Sequence, residues 1–308
     1  MTGQGRIASD DLVLAFDVKP LGVRGRLVRL GAVVDSIVRL HDYPAPVSAL
    51  LAEAVALTAM LGASLKFEGK FIFQTKTGGP VDMIVADYAA PGGIRGYARF
   101  DTAKISALGS NATQAQLLGK GHLAMTVDQG LDMERYQGIV PLEGESIAHA
   151  IEAYMLNSEQ LQTRLWLAAD ADVAAGLLLQ KLSSVGGTMP NPETDEDAWP
   201  RLTALAATIS SDELLRLPPQ EQTRKLFRQE QVAASSQQPR FECTCSRKRI
   251  GRMLLSLGRD EVQAILAELG SVTVSCDFCN ARHEFDAVDI GELFATGVNA
   301  GSAVNPPQ

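Results

Sequence analysis

Aromatic residues fill only 6% of the 308 positions and histidine occurs four times, so the side chains that most often build acid–base or stacking sites are thinly spread. None of the histidines sits in a catalytic pattern. His41, beside Asp42 and just before Tyr43-Pro44, reads as a structural loop residue, and His122 and His149 stand alone. There is no Gly-x-Ser-x-Gly elbow for a serine nucleophile. Leu118-Gly119-Lys120-Gly121 lacks both the earlier glycine and the closing Ser or Thr of a phosphate-binding loop, and Gly3-Gln4-Gly5 has no strand before it. Neither ATP use nor enzyme activity is expected.

Long apolar runs are missing as well. The longest charge-free one, Ala54 to Leu65, falls well short of the roughly 20 residues that span a bilayer. Met1 to Arg6, followed by Asp10 and Asp11, has none of the basic, apolar and small-residue order of a secretory leader. The expected compartment is the cytoplasm, with no membrane partner, where thiols stay reduced and structural disulfides are rare. Positive charge is scarce: 28 Lys and Arg against 36 Asp and Glu give a net charge of -8. That argues against a surface built for specific nucleic acid, and any basic patch must be local.

What is present is close to a globular average, 46% hydrophobic and 21% charged, in a length that suggests about two domains. From Leu12 to Leu40, Val and Leu alternate with Arg around Gly22 and Gly25, as in a half-exposed hairpin. Val47, Leu50, Leu51, Ala54, Leu57, Leu61 and Leu65 recur at three and four, which predicts a helix buried on most sides. Short strand-like stretches follow at 71–73, 81–85, 93–100 and 123–127. Helical spacing returns from Glu145, and an Ala- and Leu-rich stretch to Leu182 reads as its continuation. The fold class expected is α+β, with a mixed α/β core domain over residues 1–185.

Gly186-Gly187 to Pro192, followed by Glu193, Asp195, Glu196 and Asp197, reads as an exposed connection. Pro200–Ile209, Asp212–Leu217 and Pro219–Gln231 then read as short helices, with Ser210 and Glu213 at capping-box spacing. Each is near or below the roughly 12 to 15 residues at which an isolated helix becomes marginal, so each needs a neighbour. Val232 to Pro239 reads as a polar linker. The expected order is therefore a helical linker over 186–239, a small module over 240–294, and a disordered tail over 295–308.

All the cysteines, four of them, lie in that module. Cys243-Thr-Cys245 is separated by 30 residues from Cys276-Asp-Phe-Cys279, with a helical segment from Leu254 to Leu269 between them and Gly270 as its cap. Two thiolate pairs flanking an insert match a closed tetrahedral zinc site, each pair gripping one side of the metal. A module of about 50 residues rarely has core enough to fold alone, so the metal would act as a removable pin. Such a site can be purely structural. Arg240, Arg247, Lys248, Arg249 and Arg252 nevertheless lie close in sequence, and nearby positive charge favours the thiolate that oxidants attack. The less favoured reading of the same cluster is a solvated face or a local nucleic-acid patch. His283 is a bystander beside a complete set of four ligands.

The sequence resembles the redox-regulated thirty-three-kilodalton heat-shock chaperone family, the 33 kDa chaperonins. The resemblance rests on Phe241-Glu-Cys243-Thr-Cys245-Ser-Arg247-Lys-Arg249, on Cys276-Asp-Phe278-Cys279-Asn280, and on Phe285-Asp286 with Asp289-Ile290. Further up the chain it rests on His41-Asp-Tyr43-Pro44, Leu65-Lys-Phe67-Glu-Gly69, Gly79-Pro-Val81, Arg95-Gly-Tyr97-Ala-Arg99, Tyr136 to Leu142 and Ser158-Glu-Gln160. It implies an ATP-independent holdase with one zinc per chain on Cys243, Cys245, Cys276 and Cys279 in a quiet reduced form. It implies further that oxidation pairs Cys243 with Cys245 and Cys276 with Cys279, releases zinc, and loosens the module and linker so that unfolding client proteins bind. A homodimer on activation and downstream foldase chaperones are implied partners. Pro218-Pro219 and Gln229-Glu-Gln231 depart from the more uniformly acidic linker helix expected. Two other readings stay open: a thiol oxidoreductase at Cys276 and Cys279, which lacks a βαβ setting, and a zinc-ribbon nucleic-acid module, which the net charge disfavours.

Overall fold

The computed structural model describes residues 11–19, 21–65, 68–130, 133–142, 146–182 and 197–300. The chain divides into two compact units, Met1–Glu242 and Cys243–Gln308. The first opens with β1 (Leu12–Lys19) and β2 (Val23–Leu30), followed by α1 (Ala32–Val38) and α2 (Ala45–Gly62). Next come β3 (Lys70–Thr77), β4 (Val81–Ala89), β5 (Gly93–Phe100), α3 (Thr102–Leu108), α4 (Gln114–Leu118), β6 (Gly121–Asp128) and β7 (Tyr136–Leu142). The unit continues through α5 (Ile147–Asn157), β8 (Thr163–Ala169) and β9 (Ala174–Lys181) to α6 (Ala198–Ala206), α7 (Ser211–Arg216), α8 (Pro219–Leu226), β10 (Gln231–Gln237) and β11 (Arg240–Phe241). The α+β class expected from sequence is the one observed.

Among the described residues these strands form one sheet ordered β10-β1-β2-β9-β8 and another ordered β11-β5-β4-β3-β6-β7. Helix α2 packs against strands of both. Its Leu, Ala and Met residues are good helix formers, Pro46 sits in the first turn where its missing N–H costs nothing, and Leu51, Ala54, Leu57 and Met60 are fully buried. At 18 residues α2 is long and apolar enough to cross a membrane by length and composition, yet 78% of it is buried in the body, as a core helix would be. It exceeds the apolar run visible in sequence because Glu53 falls inside it. Burial raises the pKa of Glu53 above the usual carboxylate value, with the Gln114 side-chain hydrogen bond opposing. An acid with a raised folded pKa holds its proton longer folded than unfolded, so folding weakens as pH rises above the unfolded value. Glu53→Gln is therefore expected to raise the melting temperature at pH 7 and to leave it unchanged below about pH 4, where both forms are neutral; a pH series of thermal melts checks this.

The second face of the first sheet carries its own core. Leu14, Phe16, Val18, Leu27, Leu177 and Leu179 are covered there by Leu202 of α6, Leu214 and Leu215 of α7, and Leu226 with Phe227 at the end of α8. Gly25 makes room for the Phe16 ring, since a Cβ would stand 2.1 Å from its Cζ. Phe227 packs on that ring at 5.5 Å between centroids. The capping box expected at Ser210 and Glu213 is formed in both directions.

Several sequence expectations change. The stretch to Leu182 is not a helix beyond α5 but the strands β8 and β9. Strand β9 is covered on both faces, Ala174 and Leu178 toward the α2 core and Ala175, Leu177 and Leu179 toward the other, so it has no alternation to show. Gln231, expected at the end of a helix that instead stops at Leu226, and Val232 to Gln237, expected in a linker, form β10, which pairs with β1 from Val13↔Gln237 to Lys19↔Gln231. Its polar side chains are mostly exposed, so backbone pairing rather than apolar burial places it. The Gly186–Pro192 connection lies outside the described residues. Residues 295–300, expected in a tail, belong to a helix, and 301–308 lie outside the described residues.

Candidate metal centre

The second unit contains α9 (Arg247–Leu257), α10 (Arg259–Leu269), the hairpin β12 (Val272–Ser275) and β13 (Arg282–Phe285), and α11 (Ala287–Ala300). The single insert helix expected is thus two, broken at Gly258, whose φ of +96° suits glycine and stops the ladder. Gly270, with φ +77°, caps α10 as expected. Ile250, Leu254, Val262, Val272, Phe285, Ile290 and Phe294 make the buried core of this unit. That is a small core for three helices and a hairpin.

Cys243 and Cys245 lie in the irregular segment before α9, which Ser246 starts by accepting from the Arg249 N–H. Cys276 and Cys279 lie in the turn joining β12 to β13. There the Cys276 N–H donates to Ala281 O at 3.0 Å, the Asn280 N–H donates to Cys276 O at 2.8 Å, and Asn280 takes the left-handed conformation at φ 54°. This closed turn aims two sulfurs to one side. All four Sγ atoms fall within 4.8 Å of one another, with Cys243 to Cys276 at 3.7 Å and Cys245 to Cys279 at 3.2 Å. Zinc–sulfur bonds of about 2.3 Å in a tetrahedron need sulfurs about 3.8 Å apart, so the four half-buried thiols suit a four-coordinate metal ion.

Burial pushes the Cys243 thiol up, but the Cys245 N–H and the hydrogen bonds of the Cys279, Cys245 and Cys276 thiols outweigh it and bring its pKa below the ordinary thiol value. Cys245 rises, from burial first and then from its bonds to Cys279 and Cys243 and the Cys243 charge. Cys279 rises too, chiefly through burial. One sulfur of the cluster thus carries charge most readily while its neighbours share protons with it.

Two of the neighbouring arginines have partners of their own. Arg247 lies 4.3 Å over the Phe285 ring, donates to Glu284 O and pairs with Asp289 at 2.6 Å. Arg249 donates to Thr244 Oγ1 at 2.8 Å. Asp289 is held below its usual pKa by Arg247 and the Asp286 N–H, and Asp286 in turn accepts from the Asp289 N–H at 2.8 Å, closing the start of α11. This Arg247–Phe285–Asp289 clamp escaped the sequence reading, although Phe285-Asp286 with Asp289 carried part of the resemblance. His283 Nε2 is buried without a hydrogen-bond partner and is outside the sulfur group.

The family model described as Hsp33 protein matches residues 11–286. The chain belongs to the Hsp33 family. It is 41% identical to the 33 kDa chaperonin of Caulobacter vibrioides over 291 residues, 90% of this chain and 95% of that one. It is 42% identical to the 33 kDa chaperonin of Nitrosococcus oceani, covering 90% and 92%. With that of Pseudomonas fluorescens it shares 41% over 96% of both chains. Among solved structures, the 33 kDa chaperonin of Thermotoga maritima superposes with a TM-score of 0.79 over 94% of this chain and 99% of that one, at 20% identity, which shows the Hsp33 fold. Hsp33 membership makes chaperone activity this chain's broad function.

Proposed function

We propose that this chain is a redox-regulated, ATP-independent holdase of the cytoplasm that binds unfolding proteins and keeps them from aggregating, and is not an enzyme. The observation that carries the reading is the sulfur cluster set beside a core too small to hold its unit alone. Cys243, Cys245, Cys276 and Cys279 would hold one zinc ion, which would cross-link the four thiolates and offset two of their four negative charges. One hydrogen peroxide per pair would take two electrons from its two thiolates and, with two protons from solvent, leave as two waters; two peroxides would thus join Cys243 to Cys245 and Cys276 to Cys279. All pairs of sulfurs are close enough for rearrangement to either pattern. Pairing within each motif matters because it leaves no sulfur or metal link between the segment before α9 and the β12–β13 turn. The second unit would then loosen, followed by β11, β10 and α6 to α8, which precede it in the chain.

In the first unit those helices cover Leu14, Phe16, Leu27, Leu177 and Leu179. Uncovered, that face would offer clients a continuous apolar surface, and a second copy could share it in an activated homodimer before clients pass to foldase chaperones. Light scattering from a thermally unfolding client tests the reading. Suppression is expected from peroxide-treated protein without ATP, and not from reduced protein. Equal suppression by both forms, or by a variant with all four cysteines changed to serine before and after peroxide, would remove the switch.

A further inference from the structure

Far from the cysteines in sequence, β2 carries a buried charge that lacks a counter-charge of its own. Arg26 is 6% exposed, and its Nε is buried with no hydrogen-bond partner. The strand register explains its place. Arg26 stands opposite Ala15 of β1, which stands opposite Ser235 of β10; two residues along, Arg24 faces Asp17, which faces Ala233. All six share one face of the sheet. On that face Val28, Val13 and Leu178 enter the main core; Arg26 stands beside it, opposite Leu178 of β9, and Arg24 one pair further out, opposite Gln180. The small side chains of Ala15, Ala233 and Ser235 leave a pocket of about 240 Å³ beside the two arginines.

Charge and chemistry then say what suits this pocket. Arg24 Nε stands 3.4 Å from Asp17 Oδ1, so one carboxylate serves two guanidinium groups and one positive charge is left over. Burial, with Arg24 adding repulsion and Asp17 opposing, pushes the Arg26 pKa down to about 10, and it stays charged at neutral pH. A guanidinium out of bulk water is costly unless an acceptor meets it, and its planar fork matches two oxygens of one group. We propose that this pocket binds a small oxyanion, the carboxylate or phosphate group of a solute, held by Arg26 with Arg24 alongside. The site shares no residue with the metal centre, but its β10 wall ties it to the reduced form, in which that strand is paired with β1.

Isothermal titration of the reduced full-length protein with inorganic phosphate and, separately, with acetate tests this and tells the two sources apart. One saturable site per chain is expected for at least one of the two probes. Binding should weaken at least tenfold in Arg26→Met and also in Arg24→Met, and persist in Arg39→Met, an exposed arginine just after α1. Should Arg26→Met fail to fold by circular dichroism, Ser235→Leu, on an exposed strand position, fills the pocket and is expected to give the same loss. No saturable site for either probe, or equal binding by wild type and the pocket variants, would mean that Arg26 is met by water alone and would overturn the proposal.

Discussion

Reduced, zinc-loaded protein treated with a strong chelator is expected to lose hydrogen-exchange protection throughout α9, α10, β12, β13 and the described part of α11, while β3, β4 and β6 keep theirs. The magnitudes decide it. Zinc on four thiolates is worth on the order of 10 to 16 kcal/mol of apparent binding energy, which in a small module is folding energy. Against this, seven buried apolar side chains among the described residues contribute roughly 1.5 to 3 kcal/mol each. Their sum falls far below the cost of ordering the unit's backbone, at roughly 1 to 2 kcal/mol per residue, and beside them stand only the Arg247–Phe285 and Arg259–Phe294 stacks and an ion pair. A cation–π contact contributes roughly 0.5 to 2 kcal/mol, and Arg247 with Asp289, both partly exposed, adds an ion pair of the kind worth about 1 kcal/mol or less. Nothing in that set replaces the metal. Peroxide with mild heat should produce the same loss together with one zinc released per chain. If zinc leaves and the amides of α9 and α10 stay protected, the unit folds without its pin and the proposed trigger fails.

Phe227→Ala is expected to open the cover of the first unit without touching the cysteines. Phe227 is 2% exposed and rests on Phe16, so truncation should cost about 3 to 5 kcal/mol. Helices α7 and α8 have 6 and 8 residues and depend on this packing rather than on their own propensity. The loss is a large part of the roughly 5 to 15 kcal/mol that holds a domain together. The variant should therefore bind a hydrophobic dye and suppress client aggregation while reduced, with its zinc content unchanged. A reduced variant that exposes α6 to α8 to hydrogen exchange yet holds no client would show that the face under these helices is not the client surface.

The legibility of this protein follows the range of the interactions involved. Helix α2 was plain because its spacing is a local property of one segment, and the Ser210–Glu213 cap because its partners are three residues apart. Strands β8 and β9 were hidden because burial on both faces erases the alternation that marks a strand. Strand β10 was hidden because Ala233-Ala-Ser-Ser236 has no pattern of its own and is a strand only through its pairing with β1, more than two hundred residues earlier. The same holds for the arginines: charge near the cysteines in sequence suggested thiol activation, whereas Arg247 in the fold grips Phe285 and Asp289.

By itself the sequence supplied four thiols in two close pairs, a candidate donor set for one metal ion, and it determined the scarcity of catalytic groups. Only the tertiary structure decided that the two pairs meet within 4.8 Å, that α6 to α8 cover an apolar sheet face, and that Arg26 lies buried beside an open pocket. Each of these depends on residues brought together from distant parts of the chain, where burial and backbone pairing, not local preference, set the outcome.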